Sequence, residues 1–229
     1  MSTDRKISNI SIIVPTRNEA GNISRLLPEL LSIPDIEVLV MDGGSSDNTV
    51  ETAKALGVKV ASAPLGKALQ MNAGAEAARG DILLFLHADT RLAPGFVEQV
   101  RVTLSQPGVS AGAFRLSIDG RGVGLRIIEW LAHFRSRVLQ MPYGDQGIFV
   151  KADMFSSVGG FPILPIMEDF ELVRRLKRKG RIKILPLAAI TSPRRWEKLG
   201  VLRTTVINQA IIIGYLLGLS PHKLAEWYR

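Results

Sequence analysis

The chain opens with blocks of apolar positions whose period alternates between that of a strand and that of a helix. Residues 10–14, ISIIV, are a short run rich in β-branched side chains that ends at Pro15, which predicts a strand. Over 22–31, Ile23, Leu26, Leu27, Leu30 and Leu31 recur at helical spacing and predict a helix with one apolar face. A second strand is expected at 37–41, followed by the turn Gly43-Gly44. Ser46 or Asp47 can cap the next helix, which stops at Gly57. Residues 58–61 predict a third strand, 66–78 a third helix and 82–86 a fourth strand.

Strand–helix alternation of this kind predicts an α/β fold, with a mostly parallel sheet flanked by helices. Ligands bind such sheets outside the carboxyl ends of the strands. Three predicted strand ends carry polar clusters: Thr16-Arg17-Asn18-Glu19, Asp42-Gly43-Gly44-Ser45 and His87-Ala88-Asp89. The topology rule alone places them in one crevice. The second half is less regular. Strands are expected at 111–118, 146–150 and 182–185, helices at 123–139, 170–179, 201–219 and 222–228, and a loop at 90–95. With no repeat or linker, and 46% hydrophobic residues, the 229 residues are expected to form one domain.

Charge narrows the partners. The net charge of +8 favours something anionic, such as a phosphorylated substrate or an acidic lipid surface. The run RRLKRKGRIK at 174–183 holds seven basic residues, and reads as a solvated helix face or as a contact with an acidic membrane. Nucleic acid is not expected as a partner: aromatic residues are 6% of the chain and no stacking motif or helix-turn-helix spacing occurs. The absence of cysteine excludes disulfides and thiolate metal sites. No signal-peptide core is seen at the N-terminus. The uncharged stretch 204–221 has a clean apolar part of ten residues, AIIIGYLLGL, against about 20 needed to span a bilayer. It predicts a buried or interfacial helix, or a homodimer contact.

The common nucleotide motifs fail. Gly43-Gly44-Ser45-Ser46 does not fit G-x-G-x-x-G, and Gly66-Lys67 lacks the upstream Gly and following Ser/Thr of a P-loop. What remains are carboxylates. Asp89, after a strand, can bind Mg²⁺ or Mn²⁺ together with substrate phosphates, or it can cap a turn. Asp42 can accept a base imide N–H, or close a D-G turn. Glu19 can accept ribose hydroxyls or sit at a helix N-terminus. Lys67 can bind phosphate or be surface. Glu168 and Asp169 either complement a helix dipole or supply a general base. Arg194 and Arg195 can clamp a pyrophosphate, and Trp196 can stack on a sugar or fill the core.

Taken together, "SIIVPTRNEAGNI", "VMDGGSSDNTVE", "GKALQMNAGAEAARGDILLFLHADT", "GDQGIFV", "GGFPILPIMEDFELVRRLKRKGRI" and "TSPRRWEKLGV" resemble the family 2 glycosyltransferases of GT-A fold. The resemblance covers roughly residues 9–205, in the family's order. "LHADT", "GDQG" and "SPRRW" are most similar to a bacterial subgroup labelled arsenosugar-biosynthesis-like; some relatives are labelled carotenoid glucosyltransferases. The resemblance implies a nucleotide-sugar-binding half over 1–92, an acceptor and catalytic half over 93–198, and C-terminal helices over 199–229. Pro15, Thr16, Arg17, Glu19 and Asp42 would hold the nucleoside, usually uridine, with Lys67 and Asn72 lining the same pocket. His87, Ala88 and Asp89 would be the D-x-D element, with Asp89 on a divalent cation and His87 standing in place of the first Asp. Arg194, Arg195 and Trp196 would lie near the donor phosphates. Gly144, Asp145 and Gln146 would face the acceptor. Asp169, with Glu168, would be catalytic in a single inverting displacement. A lipid or other hydrophobic acceptor at the cytoplasmic face of the cell membrane is expected from the basic run and the apolar C-terminal helix.

Two rivals stand beside this reading. A sugar nucleotidyltransferase would carry a Gly-rich loop after the first strand, where this chain has Pro-Thr-Arg-Asn-Glu. A non-catalytic nucleotide-sugar-binding protein at a membrane surface would have no use for Asp169 or the Arg-Arg-Trp element.

Overall fold

The computed structural model describes residues 9–228. The ends of the expected 1–229 domain thus lie outside the described residues. Eight strands form one mixed sheet in the order β3-β2-β1-β4-β7-β6-β8-β5. The strands are β1 Ile10–Thr16, β2 Ile36–Asp42, β3 Lys59–Ser62, β4 Ile82–Phe85, β5 Thr90–Leu92, β6 Val109–Ile118, β7 Ile148–Lys151 and β8 Arg181–Thr191. The first four strands are parallel, β1 pairing with β2 and β4, and β2 with β3. Beyond β4 the sheet changes sense. β7 is antiparallel to both β4 and β6, β8 runs parallel to β6, and β5 antiparallel to β8. The parallel expectation therefore holds for the first half, and antiparallel pairings arise where β7 inserts between β4 and β6 and where β5 joins β8 at the edge.

Ten helices complete the described chain: α1 Ala20–Leu31, α2 Thr49–Ala55, α3 Lys67–Ala77, α4 Phe96–Ser105, α5 Val123–Val138, α6 Ala152–Ser157, α7 Glu168–Lys177, α8 Arg194–Leu199, α9 Val201–Leu216 and α10 Pro221–Tyr228. On α1 the apolar stripe buries Ile23, Leu26, Leu27 and Leu30, while Leu31 is left exposed. The turn before α2 is closed by Asp47, whose Oδ1 accepts the Thr49 N–H at 3.1 Å. Two large clusters cover the two sheet faces, one led by Ile12, Val14, Leu84 and Phe149, the other by Ile13, Leu83, Phe85 and Leu172. Helix α3 packs so closely that a Cβ on Gly74 would stand 2.4 Å from Ile13 Cγ2, so only glycine fits there.

Several expectations are corrected. The loop at 90–95 begins as β5, because residues 90–92 find a partner strand in β8. The strand expected at 146–150 starts at Ile148, after a 3₁₀ turn over Gly144–Gln146. The strand expected at 182–185 runs on to Thr191, past Pro186, with a register irregularity against β6 after Phe114. Helices α4, α6 and α8 are additional to those expected.

Candidate active site

The three polar clusters do meet at one end of the sheet. Thr16 and Asp42 are register partners at the ends of β1 and β2. Both are buried and belong to a turn network: Asp42 Oδ2 accepts the Gly44 and Ser45 N–H groups at 2.9 Å, and Oδ1 accepts the Ser45 hydroxyl. The D-G turn role is thus satisfied within the protein. Gln70, from α3, donates to the carbonyls of Thr16 and Met41 at 2.8 and 2.7 Å and ties the two strand ends together. Sequence reasoning passed over this residue; a Gln at a buried position of a helix is the signal that would have found it. Pro15 is buried in β1 and Arg17 is exposed.

An open cavity of about 820 Å³ adjoins the segment that follows β4. Lys67, His87, Asp89, Asp145, Glu168, Asp169, Arg194, Arg195 and Trp196 all line it. Residues from opposite halves of the sequence therefore share one space. Arg194 bridges two clusters, 3.1 Å from Glu19 and 3.7 Å from Asp89. Burial raises the pKa of Asp89, and the neighbouring Glu19 raises it further, against Arg194 and Lys67. Ala88 between them turns its side chain into the core.

His87 is desolvated, and with Lys67 nearby its pKa falls well below the ordinary histidine value. It is therefore a neutral hydrogen-bonding group at neutral pH. The Lys67 ammonium is desolvated too, but Glu168, Tyr228, Asp169 and Asp89 together raise its pKa. Lys67 thus shares the cavity with several acidic side chains.

The opposite wall is built at the start of α7. Met167 takes φ +70°, an uncommon conformation for a side chain of this size, and swings the chain into the helix. Asp169 follows, with Oδ2 accepting the Gly144 N–H at 2.6 Å and Oδ1 accepting the Phe170 N–H at 2.7 Å. The Gly144 backbone passes so near that a Cβ there would lie 3.2 Å from both Asp169 Oδ2 and His87 Nε2. Glu168 is nearly buried; burial and the adjacent Asp169 push its carboxyl upward, with Lys67 opposing. Asp145 is pushed up to about 6 by burial, with Asp169 adding and Arg135 opposing, and its Oδ1 has no partner among the described residues.

Two expected site residues have other work. Asn72 does not line the cavity; its amide donates to the Phe161 carbonyl at 2.8 Å and accepts the Phe161 N–H at 2.9 Å. It ties α3 to the loop before α7. Gln146 is fully buried, donates to the Phe114 carbonyl, and accepts from Arg135, Ser136 and the Tyr143 N–H. Both amides are consumed by backbone or core partners, so neither is left to face a ligand. Arg195 lies over the Tyr228 ring at 3.5 Å, which fixes α10 against the cavity.

No group of three or more His, Asp or Glu side chains forms a ready metal cage among the described residues. The donor set still fits a hard divalent cation. Asp89 and Glu19 are mutually repelling carboxylates joined by one cationic side chain, and one carboxylate with phosphate oxygens suffices for Mg²⁺ or Mn²⁺.

Residues 11–157 match the family described as Glycosyl transferase family 2. The 4,4'-diaponeurosporenoate glycosyltransferase of Staphylococcus haemolyticus is 36% identical over 93 residues, covering 37% of this chain and 25% of that protein. The chain spans between 25% and 56% of the length of the curated relatives it matches. Among solved structures, the mannosyltransferase PcManGT from Pyrobaculum calidifontis, in complex with GDP-Man and Mn²⁺, superposes with TM-score 0.68 at 21% identity over 98% of this chain and 70% of that one. S. aureus TarS 1–349 in complex with UDP-GlcNAc gives TM-score 0.63 at 21% identity, over 80% of this chain and 58% of that one.

Proposed function

The chain belongs to glycosyltransferase family 2 and has the GT-A fold, and from that premise we propose that it transfers a sugar from a UDP-linked donor to an acceptor hydroxyl with inversion. One observation carries the proposal. Asp169 is aimed by two backbone N–H groups into the same cavity whose other wall holds Asp89, Lys67 and Arg194. A base on one side and phosphate-binding charges on the other is the arrangement a single displacement requires.

In this reading the donor diphosphate lies against Lys67 and Arg194, and the nucleoside extends towards Thr16, Glu19 and Asp42. Asp89 would hold a divalent cation, which when bound neutralises charge on the leaving diphosphate. Neutral His87 offers a hydrogen bond, suited to ribose. Asp169 takes the proton of the acceptor hydroxyl, whose oxygen attacks the anomeric carbon as the bond to the diphosphate breaks. Asp145 lies on the acceptor side. The cavity wall made by Ile166, Ile211, Ile212 and Leu199 suits a hydrophobic or lipid acceptor. The motifs "LHADT", "GDQG" and "SPRRW" support the arsenosugar-biosynthesis-like subgroup, a label that leaves the acceptor open.

Calorimetry of UDP binding, with and without Mn²⁺, tests the donor site. Metal-strengthened binding that disappears in Asp89→Ala is expected. Binding indifferent to both Mn²⁺ and Asp89 would sink the donor-site assignment.

A further inference from the structure

Helix α5 turns two apolar faces to two environments. Leu125, Ala132 and Ile128 pack inward on β6 and Val201. On the other side Val123, Ile127, Trp130, Leu131, Phe134 and Val138 stand 45–77% exposed. At ~100° per residue these six positions fall within an arc of about 100°. Trp130 and Phe134 stack on one another at 6.0 Å, yet the aromatic pair is uncovered.

Helix α9 repeats the arrangement. Ile211 and Ile212 face the cavity, while Leu202, Val206, Ile213, Leu216 and Leu217 are 56–79% exposed. The N-terminal ends of the two helices meet: a Cβ on Gly124 of α5 would stand 3.1 Å from Val201 of α9. An exposed apolar surface of this extent calls for a partner.

Charge says which. Arg137 is exposed along one edge of the α5 stripe, as is Arg126, which is ion-paired with Glu129 at 3.0 Å. At the far end Lys177 Nζ donates to the Leu139 carbonyl at 2.8 Å, which brings exposed Lys177 to exposed Leu139; Arg178 and Lys179, also exposed, follow it in the chain. Apolar and aromatic side chains rimmed by cations match the boundary between acyl chains and anionic headgroups. A second copy would bring the same positive rim against itself. No described helix is long and apolar enough to cross a membrane, so contact would be in the interfacial plane.

We propose that the outer faces of α5 and α9 dock the protein on an anionic lipid bilayer. This docking stands independently of the glycosyl transfer proposed above. The test is co-sedimentation of the full chain with phosphatidylglycerol-containing vesicles and with pure phosphatidylcholine vesicles. Binding to the former alone is expected, reversed by high salt. Trp130→Glu with Phe134→Glu should abolish it. Arg137→Gln, Arg178→Gln and Lys179→Gln together should weaken it by about 100-fold. Thermal melts followed by circular dichroism monitor the folding of every variant without any ligand. Failure to sediment with either vesicle, or equal binding to both, overturns the proposal. So does sedimentation velocity showing a dimer that Trp130→Glu dissolves, since a second copy would then cover the face.

Discussion

Asp145 and Asp169 stand close together on one cavity wall but differ in what holds them. Asp169 has two backbone donors, whereas Asp145 leaves Oδ1 unpartnered and carries a pKa of about 6. For Asp145 the folded state binds the proton more tightly than the unfolded chain does. Its contribution to stability is therefore complete below about pH 4 and is lost as pH rises through about 6. The loss amounts to roughly 2–3 kcal/mol. Asp145→Asn should remove that decline, and urea denaturation from pH 4 to 8 would show it; identical pH profiles would refute the buried-carboxyl account. Asp169→Asn should lower kcat by about 10²–10⁴ and leave UDP affinity within about twofold. Unchanged turnover would remove Asp169 from the chemistry. Asp169 was readable as a candidate in sequence, since carboxylates at a helix start are conspicuous; Asp145 was singled out only by the resemblance carried by GDQG. What each carboxylate touches was not readable: Asp42 spends its acceptors on the Gly44 and Ser45 N–H groups, and no spacing distinguishes that from an open site.

At the level of elements, β-branched and leucine runs predict most strands and helices within a few residues. The misses have different causes: α4 carries a legible stripe in Phe96, Val100 and Leu104 that was passed over, whereas others left little local signal. β5 is only three residues long and exists because β8 offers it an edge. Helix α8, RRWEKL, buries no residue and has no stripe to detect. Asn72 illustrates how an element positions chemistry from a distance. Its amide holds α3 to Phe161, and the loop from there leads into Met167 and the start of α7. Asn72→Ala leaves both Phe161 backbone groups without these partners, at a cost of about 1–3 kcal/mol. We expect a lower denaturation midpoint and a fall in kcat larger than any change in UDP affinity. A kcat equal to wild type would show that the loop is held by other contacts.

Across the whole molecule, the cavity is assembled from chain segments more than 100 residues apart, and the last described helix closes part of it. Arg195 rests on the Tyr228 ring, and Tyr228 also acts on Lys67. Tyr228→Ala should free Arg195 and weaken UDP binding about two- to fivefold, the worth of an exposed cation–π contact, with little change in melting temperature. Unaltered affinity would mean that Arg195 is positioned by α8 alone. By itself the sequence determined the alternation that makes an α/β sheet, the polar strand ends, and the residues able to hold phosphate or accept a proton, because periodicity and side-chain chemistry are local properties. Only the tertiary structure decided that β7 inserts between β4 and β6, that Asn72 and Gln146 are spent on backbone and core partners, and that α5 and α9 leave an apolar face uncovered. Those outcomes depend on which distant surfaces meet, and a surface left over after packing cannot be read from a pattern that looks the same whether it is buried or bare.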